Sequence, residues 1–266
     1  MIQRSPFDLT GLTGLITGAG DARGIGFATA KIMVNLGARV FITSTTGRIY
    51  ERAAELHGPR VQIDAGTADL TVASQARAIV QQAAVDGLDF VVNNAGMTSS
   101  SRDAVNNGET GSIEDISEDG WHAGLDRNLD TAFHVTQAAI PFLKSSDCGR
   151  IVLMSSVTGP LMAMDNDVAY AAAKAALVGM TRSLALDLAK YNITANAVLP
   201  GWIETGSQTD AEKIEGRSTP LGRSGQPEEV AALVAWLCSR HAGYVTGQAL
   251  VVDGGNSIQE MRHTSR

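Results

Sequence analysis

Cysteine is nearly absent: Cys148 and Cys238 are the only two in 266 residues. Two thiols so far apart make no disulfide framework, and no zinc-site spacing accompanies them. They read as reduced packing residues in a cytoplasmic protein. Aromatics are scarce at 5%, and positive charge is outnumbered, 21 Lys+Arg against 28 Asp+Glu for a net −7. Nucleic-acid binding calls for clustered positive charge, so that class is set aside. Long apolar runs are missing as well. The longest candidate, 151–164, carries two serines, a threonine, a glycine and a proline, well short of the ~18 uninterrupted apolar residues of a membrane helix. Near the N-terminus Arg4 and Asp8 precede no apolar core, so no secretory signal is expected. His57, His122, His134, His241 and His263 lack ligand spacing, so no metal is expected.

What the chain does have is glycine, 28 residues, within an ordinary soluble composition of 44% hydrophobic and 18% charged residues. The rhythm is a short apolar run, a glycine-rich turn, then an amphipathic stretch. Strands are expected at 13–17, 39–43, 60–64, 89–92, 150–155, 194–199 and 249–252, mostly apolar throughout, as in strands covered on both faces. Helical patterns fall at 25–36, 50–56, 72–84, 121–142, 168–190 and 227–237. Such alternation implies right-handed crossovers and a doubly wound parallel sheet in one α/β domain spanning 1–266. Two stretches, 97–111 and 201–225, resist assignment. Both follow a strand's carboxyl end, where open α/β sheets bind ligands.

The first strand runs into T-G-A-G-D-A-R-G-I-G, and Gly20, Gly24 and Gly26 give G-x-x-x-G-x-G before a helix. Glycines let amides approach a pyrophosphate, and the helix start offers unpaired N–H groups. A plain strand-to-helix turn is the bland alternative. NAD-selective sites place a carboxylate about 20 residues on, yet no acid occurs between Asp21 and Glu51. Ser44, Thr45 and Arg48 stand there instead, with Arg23 inside the loop. Hydroxyls and guanidiniums suit a 2′-phosphate, so NADP(H) is expected over NAD(H), unless the arginines are merely solvated surface charges.

Tyr170 and Lys174 form Y-A-A-A-K, an i,i+4 pair on one helical face. A free phenol titrates near ~10, too high for efficient proton transfer at neutral pH, and a neighbouring ammonium favours phenolate. The string alone is common; its surroundings are not. With N-N-A-G at 93–96, Asn128-Leu129, I-V-L-M-S-S at 151–156, Pro200-Gly201 and Y-V-T-G-Q-A-L-V-V-D-G-G at 244–255, the chain resembles the short-chain dehydrogenase/reductase family. The subgroup it resembles includes 3-oxoacyl-carrier-protein reductases, and the match covers nearly the whole chain.

The resemblance implies a single-domain Rossmann fold with strand order 3-2-1-4-5-6-7. It also implies that Ser156 bonds the substrate carbonyl, Tyr170 moves the proton, Lys174 holds the nicotinamide ribose and acidifies the phenol, and Asn128 anchors a water. Gly18, Ile25, Asn94, Ala95 and Gly96 would line the cofactor. Asp69 and Leu70 resemble the adenine-contacting pair, although Asp69 also reads as a helix cap. Ile203 and Thr205 would approach the carboxamide, 201–225 would hold a substrate lid, and the assembly would be a homotetramer. The expected reaction is reduction of a ketone or 3-oxoacyl thioester, or the reverse alcohol oxidation. The alternatives are an NAD-linked polyol, sugar or hydroxysteroid dehydrogenase and a non-catalytic NADPH sensor. Two departures stand out: five residues, two more than usual, separate Gly18 from Gly24, and 14 positions separate Ser156 from Tyr170. The longer second interval, holding Met162, Met164, Asp165 and Asp167, alters the substrate wall.

Overall fold

In the computed structural model, which describes residues 5–58, 61–97 and 101–260, seven strands form one parallel sheet ordered β3-β2-β1-β4-β5-β6-β7. They are β1 (Thr13–Thr17), β2 (Arg39–Ser44), β3 (Gln62–Thr67), β4 (Phe90–Asn93), β5 (Arg150–Met154), β6 (Thr194–Pro200) and β7 (Ala249–Val252). Around them lie α1 (Ile25–Asn35), α2 (Arg48–Leu56), α3 (Ala73–Ala83), α4 (Arg102–Asn106), α5 (Glu118–Leu125), α6 (Thr131–Leu143), α7 (Val168–Leu188), α8 (Asp210–Arg217) and α9 (Pro227–Leu237). β1 pairs with β2 on one side and β4 on the other. The connections leaving those strands therefore run in opposite directions and open a crevice at the strands' carboxyl ends.

Both faces of the sheet are covered. On one, Met33 of α1 and Val230 and Val234 of α9 pack with Ile16, Ile42 and Val152. On the other, Ile79 of α3, Val135 of α6 and Leu177 of α7 pack with Leu15, Val91 and Ile151. Each fully buried aliphatic side chain is worth ~1.5–3 kcal/mol, so the two layers together hold the crevice rigid. Every residue of β5 and β6 is buried, which is why those strands are mostly apolar along their length.

Three expectations shift. The third strand begins at Gln62 rather than 60, and Arg60 lies outside the described residues. Its edge position tolerates Asp64, whose carboxylate accepts from Arg39 Nη2 at 3.1 Å, so apolar periodicity marks it poorly. The continuous helix expected over 121–142 is instead α5, a π-helical turn (Asp126–Asp130) and α6. The two unassigned stretches contain α4 and α8. α8 is fixed by a capping box in which Thr209 Oγ1 accepts from the Glu212 backbone N–H at 3.3 Å and Glu212 Oε2 accepts from the Thr209 backbone N–H at 2.6 Å. Residues 261–266, with His263, lie outside the described residues.

Candidate active site

The glycine-rich turn joins β1 to α1. Gly18 has φ +68°, and a Cβ there would lie 2.8 Å from Ala95 Cα. A Cβ on Gly26 would meet Asn94 Nδ2 and the Gly18 carbonyl, both at 2.6 Å. Only hydrogen side chains let the turn close on the β4 end, where Asn94 Nδ2 donates to the carbonyls of Thr17 and Gly18 at 3.0 and 3.1 Å. The start of α1 has no side-chain cap and no acidic residue in its first turn. Its N–H groups and positive dipole end are left facing the crevice, a setting for a dinucleotide pyrophosphate.

The crevice is a cavity of about 560 Å³. Gly18, Arg23, Gly24, Ile25 and Arg48 line one end of it, and Asn94 and Gly96 the middle. Ser156, Tyr170 and Lys174 converge at the other end, with Pro200, Gly201, Ile203 and Thr205 beside them. Arg48 Nε donates to Thr46 Oγ1 at 3.3 Å. Neither Arg23 nor Arg48 has an acidic ion-pair partner among the described residues.

Other sequence-predicted residues sit behind the wall. Gly20 gives room to Ser44, whose Cβ and Oγ would lie 2.9 Å from a Cβ there. Ser44 Oγ donates to the Thr46 carbonyl at 3.0 Å, and Thr45 is exposed. The Ala95 N–H donates to Thr17 Oγ1 at 2.9 Å. The Leu70 side chain is core, leaving only its backbone able to reach a ligand. Asp69 Oδ1 accepts from the backbone N–H and the hydroxyl of Thr71 at 3.0 and 2.6 Å, so it organises its own turn. Asn128 is buried in the π-helical turn; its Oδ1 accepts from the Met97 N–H at 3.0 Å and its Nδ2 donates to the Gly124 carbonyl at 3.2 Å. A Cβ at Gly96 would lie 2.8 Å from Asn128 Oδ1 and 3.2 Å from Lys174 Nζ. Glycine therefore lets those two polar groups approach one point.

At the reacting end, Lys174 Nζ donates to the Met154 carbonyl at 3.0 Å and lies 5.4 Å from the centre of the Tyr170 ring. Burial pulls the amine down to about 8. The sequence suggested an acidified phenol; the structure places Tyr170 in the opposite sense. Burial first pushes it up to about 12; hydrogen bonding to Ser156 opposes that, and the charges of Asp167 and Glu212 reinforce it. Desolvation disfavours the charged form of each side chain. Ser155, by contrast, is structural: its hydroxyl donates to the Lys174 carbonyl at 2.7 Å.

Several wall residues carried no sequence signal of their own. Met97, Trp202, Gln208 and Glu212 line the pocket, as does Asp21. Met162, Met164 and Asp167, noted only as part of the longer serine-to-tyrosine interval, line it as well, while Asp165 does not. Among the described residues no group of three or more His, Cys, Asp or Glu side chains is placed to hold a metal ion.

The fold and the ordered motifs define an oxidoreductase, and the chain belongs to the short-chain dehydrogenase/reductase family. The family described as Enoyl-(Acyl carrier protein) reductase matches residues 18–257. The chain is 36% identical over 266 residues to Oxidoreductase UcpA of Escherichia coli strain K12, covering 95% of this chain and 97% of that one. It is 36% identical over 255 residues to the 3-oxoacyl-[acyl-carrier-protein] reductase FabG of Thermotoga maritima, covering 93% and 98%. A blue fluorescent protein from a metagenomic library, solved in complex with NADPH, superposes with a TM-score of 0.84 at 30% identity, over 94% of this chain and 99% of that one.

Proposed function

We propose that the protein is an NADP(H)-dependent carbonyl reductase, reversible as an alcohol dehydrogenase. The observation that carries this reading is the convergence of Ser156, Tyr170 and Lys174 on one end of a crevice whose other end is a glycine turn with two arginines. The turn fits a dinucleotide: the close approaches at Gly18 and Gly26 and the uncapped start of α1 leave amides for a pyrophosphate. Arg23 and Arg48 suit a 2′-phosphate, and Lys174 a ribose. NADPH, when bound, supplies the hydride.

The protein's own groups handle the oxygen. Ser156 donates a hydrogen bond to the substrate carbonyl, and Tyr170 delivers its proton to the developing alkoxide. A phenol pushed up to about 12 stays protonated at neutral pH, so it is loaded for reduction. Lys174, with its ammonium partly neutral near pH 8, would hold the nicotinamide ribose and is the nearby proton reserve for Tyr170. α8 and the flanking 201–225 segment form the lid, and Met97, Met162, Met164 and Trp202 give the substrate an apolar wall. The same reading carries a homotetramer with exposed Leu186 and Val251 at subunit contacts, working inside the cell, where Cys148 and Cys238 stay reduced.

The test is NADPH oxidation followed at 340 nm with a panel of ketones and 3-oxoacyl thioesters. Substrate-dependent consumption is expected, faster with NADPH than with NADH. NADPH binding with no turnover on any carbonyl would point instead to a sensor.

A further inference from the structure

Most polar side chains that line the reacting end of the pocket keep their polar atoms out of it. Both carboxylate oxygens of Asp167, Oε1 of Gln208 and the indole Nε1 of Trp202 are closed to solvent, so none of them faces the cavity. Gln208 Nε2 donates to Ser224 Oγ at 2.8 Å. Asn256 is 3% exposed and engaged on both sides of its amide: Nδ2 donates to Met162 Sδ at 3.5 Å and Oδ1 accepts from Gln259 Nε2 at 3.2 Å. The other two carboxylates among the described lining residues also have partners. Asp21 Oδ1, in the glycine turn, accepts from the Arg23 N–H at 3.0 Å. Glu212 Oε2 accepts from the backbone N–H and the hydroxyl of Thr209 at 2.6 and 3.0 Å.

What remains around Ser156 and Tyr170 is largely hydrocarbon and sulfur. Met162 is fixed there: its N–H donates to the Val157 carbonyl at 2.9 Å, its carbonyl accepts from the Gly159 N–H at 2.7 Å, and Asn256 holds its sulfur. Met164 is 43% exposed and lines the pocket from its solvent side. Met97 and the ring of Trp202 complete the wall. Ser156 is the polar exception, and it is preset. Its Oγ accepts from the Thr158 N–H at 3.1 Å, which frees its O–H to donate to a carbonyl.

We infer that the substrate is an uncharged ketone whose carbonyl is flanked by hydrocarbon (alkyl, alicyclic or aryl), and that ketoses and other hydroxylated ketones are rejected. This rests on the carbonyl-reductase reading and narrows it. A hydroxyl carried against this wall gives up its water and finds no partner there, a cost that an apolar ketone avoids. An ionic group loses more. Unbranched thioethers fill irregular gaps and adapt to many outlines. The wall therefore selects for apolarity more strictly than for one shape.

The test compares 4-methylcyclohexanone with 4-hydroxycyclohexanone, which exchange a methyl for a hydroxyl far from the carbonyl, using NADPH and the full chain. The ratio of their kcat/KM values is expected to favour the methyl ketone by about 10–100-fold. Along the 2-alkanones from butanone to heptanone, kcat/KM should rise roughly three- to fourfold per added methylene. Met162→Gln, close in shape but carrying an amide, should narrow the methyl-to-hydroxyl ratio by at least about threefold. Equal or better turnover of the hydroxyl ketone, a flat alkanone series, or a ratio that the folded variant leaves unmoved would overturn the inference and leave the reductase standing. If no ketone is turned over, the reductase reading is in trouble by itself. Calorimetric binding of the two cyclohexanones to the NADP⁺-loaded protein then decides the preference separately: tighter binding of the methyl ketone upholds it, and equal or weaker binding ends it. Should the variant fail to fold, the wild-type comparisons still decide.

Discussion

Lys174 stands one helical turn beyond Tyr170, its Nζ 5.4 Å from the centre of the tyrosine ring and bonded to the Met154 carbonyl at 3.0 Å. Burial favours the uncharged form of each side chain, setting the phenol near 12 and the amine near 8. On the proposed reading the phenol is the proton donor and the amine its reloading partner, and their desolvation is part of the chemistry.

That burial has a cost that pH can reveal. The Lys174 amine titrates near 8 in the folded chain, below its ordinary 10.5. Between those values the unfolded chain binds more protons, so this contribution makes stability rise with pH; below about 8 the penalty is complete. Lys174→Met removes the penalty. Relative to the wild type, its stability in urea unfolding should fall by about 2 kcal/mol between pH 7.5 and 9.5. A difference that stays flat with pH would mean the amine is not desolvated.

On the proposed reading, cofactor choice rests on Arg23 and Arg48. A charge-assisted hydrogen bond is worth ~1.5–3 kcal/mol, so alanine at either position should lower kcat/KM for NADPH by roughly 10–100-fold. Rates with NADH should change far less, because NADH has no 2′-phosphate to lose. Parallel losses with both cofactors would assign the arginines to the pyrophosphate or to folding.

Glu109 is 4% exposed, and both its oxygens accept from Arg127 Nε at 3.0 Å while Oε1 also pairs with Nη2 at 2.7 Å. Arg127 Nη1 in turn reaches Met97 Sδ at 3.3 Å, and the Met97 N–H is held by Asn128. Breaking this clamp with Glu109→Gln should cost roughly 3 kcal/mol in denaturant unfolding. It should also raise the ketone KM, since Met97 loses its hold on the pocket wall. An unchanged unfolding midpoint would show the pair to be idle.

Much of this fold was legible because its inner strands are covered on both faces, and continuous apolar runs between glycine turns suit little else than buried parallel strands. β3 was displaced by two residues because an edge strand stabilised by the Arg39–Asp64 pair does not need apolar periodicity. The break at Asn128 was invisible: a π-helical turn keeps the helical composition and changes only which face each residue presents. Ser156, Tyr170 and Lys174, singled out by the ordered motifs, line one end of the crevice. Ser44 and Leu70 do not face the crevice, since one hydroxyl closes its own turn and the other side chain joins the core. Glu212 and Gln208 could not be found in advance, because α8 and the residues before it reach the pocket only through tertiary packing.

The most direct measurement is steady-state ketone reduction by Tyr170→Phe beside NADPH titration of the same variant. General acid catalysis is worth ~10²–10⁴-fold, so kcat should fall by at least about a hundredfold, with the NADPH dissociation constant within a few-fold of wild type. Retention of most of the turnover by the phenylalanine variant would contradict the role of the phenol.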